Sequence, residues 1–130
     1  MYDVSRTDYG VRIVAEGFVG KDELKNMMRE ASKVTSRLEK GFGLLFDARG
    51  MFALPPEAAE VLKHSMATAK RNGMGRSAQI LEDAINTLQF GRLAREAGIS
   101  DTMRQVDPDG FPDCERAAVD WIVKGIDPGK

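Results

Sequence analysis

Asp47 and Arg49 stand two residues apart at the end of an apolar run and are followed by Gly50; in this 130-residue chain they best combine type and spacing for chemistry or recognition. A guanidinium presents a rigid fork of donors that matches a carboxylate or a phosphate, and a neighbouring carboxylate can take up a proton. The pair therefore suits either an enzyme acting on an anionic metabolite, with Asp47 as base, or a docking surface anchored by Arg49. A plainer reading competes. Arg49 pairs with Asp47 and shapes the loop, while Asp47 accepts backbone N–H groups of the following turn. Gly50 marks a positive φ. Just beyond lie Met51, Phe52 and Leu54, three large apolar side chains within four residues. They form either a greasy rim for a lipid tail, a second copy or a partner protein, or an inward plug that staples the next helix.

Other reactive groups are sparse. His64 is the only histidine and lies off the apolar stripe of its helix, facing solvent. Cys114 is the only cysteine, which rules out a disulfide or a cysteine-based zinc site within one chain; it reads as a small buried hydrophobe on the last helix. Glu82, Asp83, Asp107 and Asp109 each follow a predicted strand and read as caps and turn residues. The glycines at 73, 75, 91 and 98 make no dinucleotide or phosphate-loop pattern. The sequence thus predicts no catalytic residue, no metal site and no cofactor. Among the methionines, Met27, Met28 and Met66 fall on core stripes, and Met51, Met74 and Met103 near strand ends could line an adaptable pocket.

Composition narrows the classes further. A net charge of −1 with no basic stripe argues against nucleic acid, and 42% hydrophobic with 30% charged residues is ordinary for a globular chain. Charges in Met1-Tyr-Asp-Val-Ser-Arg-Thr-Asp break any signal-peptide core, and no apolar run is long enough to insert in a membrane. The expectation is one cytoplasmic domain over residues 1–130.

The elements that position Asp47 and Arg49 follow from periodicity. Residues 2–8 and 11–18 read as a hairpin turning at Tyr9-Gly10, with Val11, Ile13 and Ala15 alternating against Arg12, Val14 and Glu16. Leu24, Met27, Met28, Ala31, Val34 and Leu38 make a helical stripe from Lys21 to about Lys40, stopped by Gly41. Phe42 to Phe46 is a buried central strand that delivers the Asp47-to-Gly50 turn to a helix starting at Pro55 or Pro56. That helix runs to Asn72-Gly73. A strand from Arg76 to Leu81, a helix capped by Asp83 and ended by Gly98, a strand from Thr102 to Val106 and a helix capped by Asp113 complete the order β-β-α-β-α-β-α-β-α. This predicts an α/β fold, a mixed and largely parallel four- to five-stranded sheet covered by about four helices.

With these elements in place, Leu44-Leu45-Phe46-Asp47-x-Arg49-Gly50-Met51, the strand Arg76-Ser77-Ala78-Gln79-Ile80-Leu81 and the closing Ala117-Ala118-Val119-Asp120-Trp121-Ile122 resemble the STAS, or SpoIIAA-like, domains. The resemblance implies a non-catalytic module. Antagonists of this superfamily bind a partner kinase through the loop after the central strand and the helix behind it, and release it on phosphorylation of a Ser or Thr there. The likeness of the SpoIIAA-like branch to the lipid-carrying SEC14 fold implies a nonpolar ligand. This chain departs from the switch pattern: Ala48 and Arg49 stand where a phosphoacceptor belongs, and neither can carry phosphate.

Three functions follow. The first is a module docking a protein partner or a second copy through residues 47–58. The second is a carrier or sensor of a nonpolar small molecule, and the third an enzyme on an anionic metabolite.

Overall fold

Alternation in the first hairpin sets the sheet. In the computed structural model, which describes residues 1–129, β1 (Tyr2–Arg6) and β2 (Gly10–Gly17) pair antiparallel, Tyr2 opposite Ala15 and Arg6 opposite Val11. Val11, Ile13 and Ala15 are fully buried, whereas Arg12, Val14 and Glu16 are half-buried or exposed. That is the period of two expected of a strand with one covered face. β1 ends at Arg6 rather than at residue 8 because Thr7 and Gly10 exchange backbone hydrogen bonds that close the turn.

The remaining elements are α1 (Lys21–Thr35), β3 (Gly43–Met51), α2 (Pro56–Arg71), β4 (Ser77–Ile80), α3 (Ala84–Ala97), β5 (Met103–Val106) and α4 (Cys114–Lys124). The five strands lie in the order β1-β2-β3-β4-β5, and every pair after the hairpin is parallel. Each crossover moves one strand further in the same direction, so right-handed connections place α1, α2 and α3 on one face of the sheet. Only α4 covers the other. Two hydrophobic cores result. The larger joins Ile13, Phe46 and Met51 to Leu24, Leu62 and Phe90 of the three-helix layer, and the smaller joins Leu45, Ala78 and Ile80 to Ala118, Trp121 and Ile122 of α4.

Two further boundaries differ from expectation, those of α1 and β3. α1 stops at Thr35, five residues before Lys40, where Arg37 and Leu38 donate to carbonyls three residues back and the Thr35 and Ser36 hydroxyls bond the backbone. Hydroxyl side chains compete with the helix ladder in this way. β3 runs nine residues to Met51, so Asp47-Ala48-Arg49-Gly50 is strand rather than turn. β4 pairs with β3 only as far as Asp47 opposite Ile80, and beyond that point β2 alone carries the ladder to Gly17 opposite Met51.

Close packing of β2 against β3 demands glycine. Gly10 has φ +148°, and a Cβ there would lie 2.0 Å from the Gly43 carbonyl oxygen. No other residue fits this junction without moving the backbone.

Candidate functional site

A bulge in β3 decides where each candidate side chain goes. Asp47 faces Val14 and Gly50 faces Glu16, so Ala48 and Arg49 together oppose the single residue Ala15. The extra residue breaks the alternation. Ala48 and Met51, three positions apart, both enter the three-helix core, while Asp47 and Arg49 remain on the α4 side. Gly50 is exposed on the bulge and lacks the positive φ expected of it; a Cβ there would sit 3.2 Å from Glu16 Cγ.

Asp47 and Arg49 do come together. Arg49 Nη2 donates to Asp47 Oδ2 at 2.6 Å and Nε to Oδ1 at 3.0 Å, a two-pronged fork, and the Arg49 backbone N–H reaches Oδ1 at 3.3 Å. Arg49 Nη1 also donates to Cys114 Sγ at 3.0 Å, at the first residue of α4. Arg12 stands 4.0 Å from Asp47 Oδ2 and donates from Nε to Glu115 Oε1. Burial pushes the Asp47 carboxyl up, but the Arg49 hydrogen bonds and charge, with Arg12 behind them, outweigh it and hold the group below the usual carboxylate range. The bond to Asp47 raises Arg49, and that to Glu115 raises Arg12. Both Asp47 oxygens accept from Arg49, and the carboxylate is held charged. The loop-shaping reading of the pair describes this geometry, which fastens the β3 bulge to α4.

The apolar trio divides. Met51 is 2% and Leu54 5% exposed, so both plug the core rather than form a rim, while Phe52 is 64% exposed. A residue that sequence reasoning missed fixes this split. Asn86, fully buried near the start of α3, donates from Nδ2 to the carbonyls of Met51 at 3.2 Å and Phe52 at 3.1 Å. Its Oδ1 accepts from Leu54 N–H at 3.2 Å. The loop backbone thus treats the Asn86 amide as its ladder partner. The signal was present, since Asn86 falls on the stripe that continues through Phe90, Leu93 and Ala94, where a polar side chain must find partners.

Phe52 has apolar company at the same end of the sheet. Its N–H donates to the Gly17 carbonyl at 2.9 Å, which sets it beside Phe18, itself 64% exposed. Across the Asn86 clamp, α3 presents Ile85 and Leu88 at 63% and 77% exposure. These four side chains border the carboxyl ends of β2 and β3 and the start of α3. Acidic residues frame them: Asp22, Glu57 and Glu82 are exposed around the starts of α1, α2 and α3, with Lys21 the basic residue among them.

The other expected residues take structural places. Asp83 caps α3 by accepting from Asn86 N–H at 2.9 Å, and Asp107 accepts from Asp109 N–H at 2.9 Å in a turn. His64 is exposed and Cys114 is buried. Among the described residues, no group of three His, Cys, Asp or Glu is placed to hold a metal ion, and no helix is long and apolar enough to cross a membrane. Between α1 and α2 lies a groove of about 460 Å³, and beneath it, against the sheet, a cavity of about 40 Å³. Met28, Leu44, Ser65 and Ala69 line both. Met28, expected in the core, and Met66 join Met74 around the inner cavity, while Met51 and Met103 are packed.

No family model and no curated protein matches the chain. Among solved structures, it is similar to an uncharacterised protein of the DUF3478 family with a SpoIIAA-like fold from Shewanella loihica PV-4. The TM-score is 0.62 at 20% identity, over 94% of this chain and 92% of that one. At this identity the likeness establishes the fold: a SpoIIAA-like α/β arrangement, one five-stranded, mostly parallel sheet with four helices.

Proposed function

We propose that this chain is a non-catalytic cytoplasmic module, one domain from end to end, that docks a protein partner on the carboxyl edge of its parallel strands. The observation that carries the reading is that Phe18 and Phe52, side by side at the carboxyl ends of β2 and β3, and Ile85 and Leu88, in the first turns of α3, are all more than 60% exposed. Large apolar side chains gathered in this way mark contact surfaces, whereas scattered ones do not. The acidic frame of Asp22, Glu57 and Glu82 selects a partner segment with an apolar anchor flanked by basic residues. Asp47 and Arg49 support this surface from the α4 side by fastening the β3 bulge that carries Gly50, and Met51 and Leu54 act from beneath by packing. The Asp47 carboxyl, held below the usual carboxylate range by Arg49 and Arg12, is a weak base, which supports a non-catalytic role.

The test is capture by tagged protein, identification of the bound chain, and rebinding of that purified chain to variants. Phe52→Asp and Phe18→Asp keep the fold and lose the partner, while Glu39→Lys, exposed on the α1–β3 connection, keeps it. Equal binding by all three variants would sink the reading.

A second reading, carriage of a nonpolar small molecule, is favoured by the groove and cavity under α1 and α2. Native mass spectrometry of gently purified protein, before and after organic extraction, tests it. An extractable adduct of a few hundred daltons supports carriage, and apo mass alone counts against it.

A further inference from the structure

We infer that a second copy of this chain pairs with it along the open edge of β1, antiparallel about a two-fold axis, so that the two sheets become one continuous sheet. This surface is separate from the apolar cluster at Phe52 and does not depend on either reading above.

The two edges of the sheet are finished differently. At β5, the Met103 N–H donates to the Ile99 carbonyl at 3.0 Å and the Met103 carbonyl accepts from Arg104 Nη1 at 2.9 Å. Arg104 Nε also donates to Asp127 Oδ2 at 3.0 Å, so the chain covers this edge itself. At β1 the chain leaves the edge open. The Glu16 N–H donates to the Met1 carbonyl, and Thr7 and Gly10 exchange bonds, so Asp3 and Ser5 between them are the β1 residues bonded to β2. The backbone N–H and C=O groups of Tyr2, Val4 and Arg6 point the other way, and no strand among the described residues meets them. Such an edge is a template for another strand.

The edge complements itself. With Val4 opposite Val4 of the second copy and Tyr2 opposite Arg6, every outward-facing residue of β1 falls in a pair that exchanges both its N–H and its C=O. Tyr2, Val4 and Arg6 stand beside the buried Ala15, Ile13 and Val11, so they share the three-helix face, and an axis perpendicular to the sheet keeps α1 of both copies on that face. Between β1 and α1 runs a groove of about 500 Å³, lined by Tyr2, Asp3, Val4, Glu30, Lys33 and Val34, that receives the helix-side side chains of an added strand. Charge agrees with this register. The Tyr2 hydroxyl is raised above its ordinary value, first by its bond to Glu30 and then by burial and the charges of Glu30 and Glu23, so this end of β1 is acidic. Arg6, at the other end, is exposed and makes no ion pair among the described residues. Antiparallel pairing sets Arg6 of each copy against Tyr2 and Glu30 of the other, and opposite charges facing across strands stabilise the pairing.

The experiment is sedimentation velocity of the purified full chain from about 1 µM to about 1 mM, the span of moderate to weak affinities, joined to amide hydrogen exchange read residue by residue at both ends of that range. The inference expects a dimer that grows with concentration and, with it, slowed exchange at the Val4 and Arg6 amides, while Asp3 and Ser5, already bonded to β2, change less. Val4→Pro removes an N–H that the single chain leaves unused, at an edge position where proline is tolerated, and should abolish the dimer. Arg6→Glu, at an exposed side chain, should weaken it about fivefold or more, and Glu30→Lys added to Arg6→Glu should recover most of the loss. Phe52→Asp should leave the dimer unchanged. Monomer at every concentration overturns the inference and leaves the docking reading standing. A dimer that keeps its affinity in Arg6→Glu, or whose Val4 and Arg6 amides exchange as fast as in the monomer, overturns the placement on β1 even if Val4→Pro does not fold. A dimer lost in Phe52→Asp and kept in Val4→Pro overturns it as well and belongs to the docking edge.

Discussion

Replacing Asn86 with alanine should release the loop that presents Phe52, at a cost the structure allows to be worked out. Asn86 is 0% exposed and makes three hydrogen bonds to loop backbone, two from Nδ2 to the Met51 and Phe52 carbonyls and one to Oδ1 from Leu54 N–H. The Phe52 carbonyl is only partly buried, so water can replace the amide there. The Met51 carbonyl and the Leu54 N–H, next to side chains 2% and 5% exposed, would be left without partners. A buried polar group stripped of its bond costs about 1–3 kcal/mol, so the two together with the small cavity give about 3–5 kcal/mol. That is a large share of the ~5–15 kcal/mol typical of a folded domain. Urea unfolding measures it: Asn86→Ala should lower the midpoint with an unchanged denaturant slope. Phe52→Ser, at a side chain 64% exposed, should change stability by no more than about 0.5 kcal/mol. A loss below about 1 kcal/mol for Asn86→Ala would refute the clamp. So would a Phe52→Ser loss as large as that expected of the clamp.

Other expectations concern the ion-pair fork, the glycine junction and the acidic frame. Asp47 is held below the ordinary carboxylate range, so its contribution is complete above the unfolded value of about 3.9 and is lost as pH falls through the lower folded value. In Arg49→Leu, burial acts on Asp47 with only Arg12 opposing it, so its folded value moves back toward the unfolded one and the urea midpoint, lower than the wild type's at pH 7, should fall less between pH 7 and 3 than the wild type's does. Coincident pH profiles would contradict the assignment. Gly10→Ala places a Cβ 2.0 Å from the Gly43 oxygen at φ +148° and should destabilise by about 3 kcal/mol or more in the same assay. Partner binding should weaken as salt rises from 50 to 300 mM, since rim charges steer association and are screened; salt-independent affinity would leave the apolar cluster alone as the anchor.

Much of the architecture is legible because each amphipathic element announces its own period. The alternation of Val11, Ile13 and Ala15 and the capping aspartates 83 and 113 are local signals that the structure uses as read, and the α1 stripe holds as far as Val34, with Leu38 falling beyond the helix end. The site is harder because its geometry depends on distant partners. Asp47-Ala48-Arg49-Gly50 has turn composition, yet β2 keeps pairing past it, and the bulge that results sends Met51 inward. No local rule marks that inserted residue. Arg12 and Glu115, 103 positions apart, meet only because α4 folds back over the sheet. Asn86 was more accessible, as was the outer face of α3, where Ile85 and Leu88 lie off the buried stripe and signal an unpartnered surface.

The most direct test of the docking edge is a photo-activated cross-linking residue placed at position 52 in living cells, with the same residue at position 39 as control. Glu39 is exposed and lies on the connection from α1 into β3, away from the edge where Phe52 sits. The account predicts a discrete heavier species from position 52 that is absent from position 39 and is lost when Phe18→Asp is added. Its mass separates a second copy of this chain from a different protein. A folded protein that gives no cross-link at 52 above the level at 39 would contradict the account.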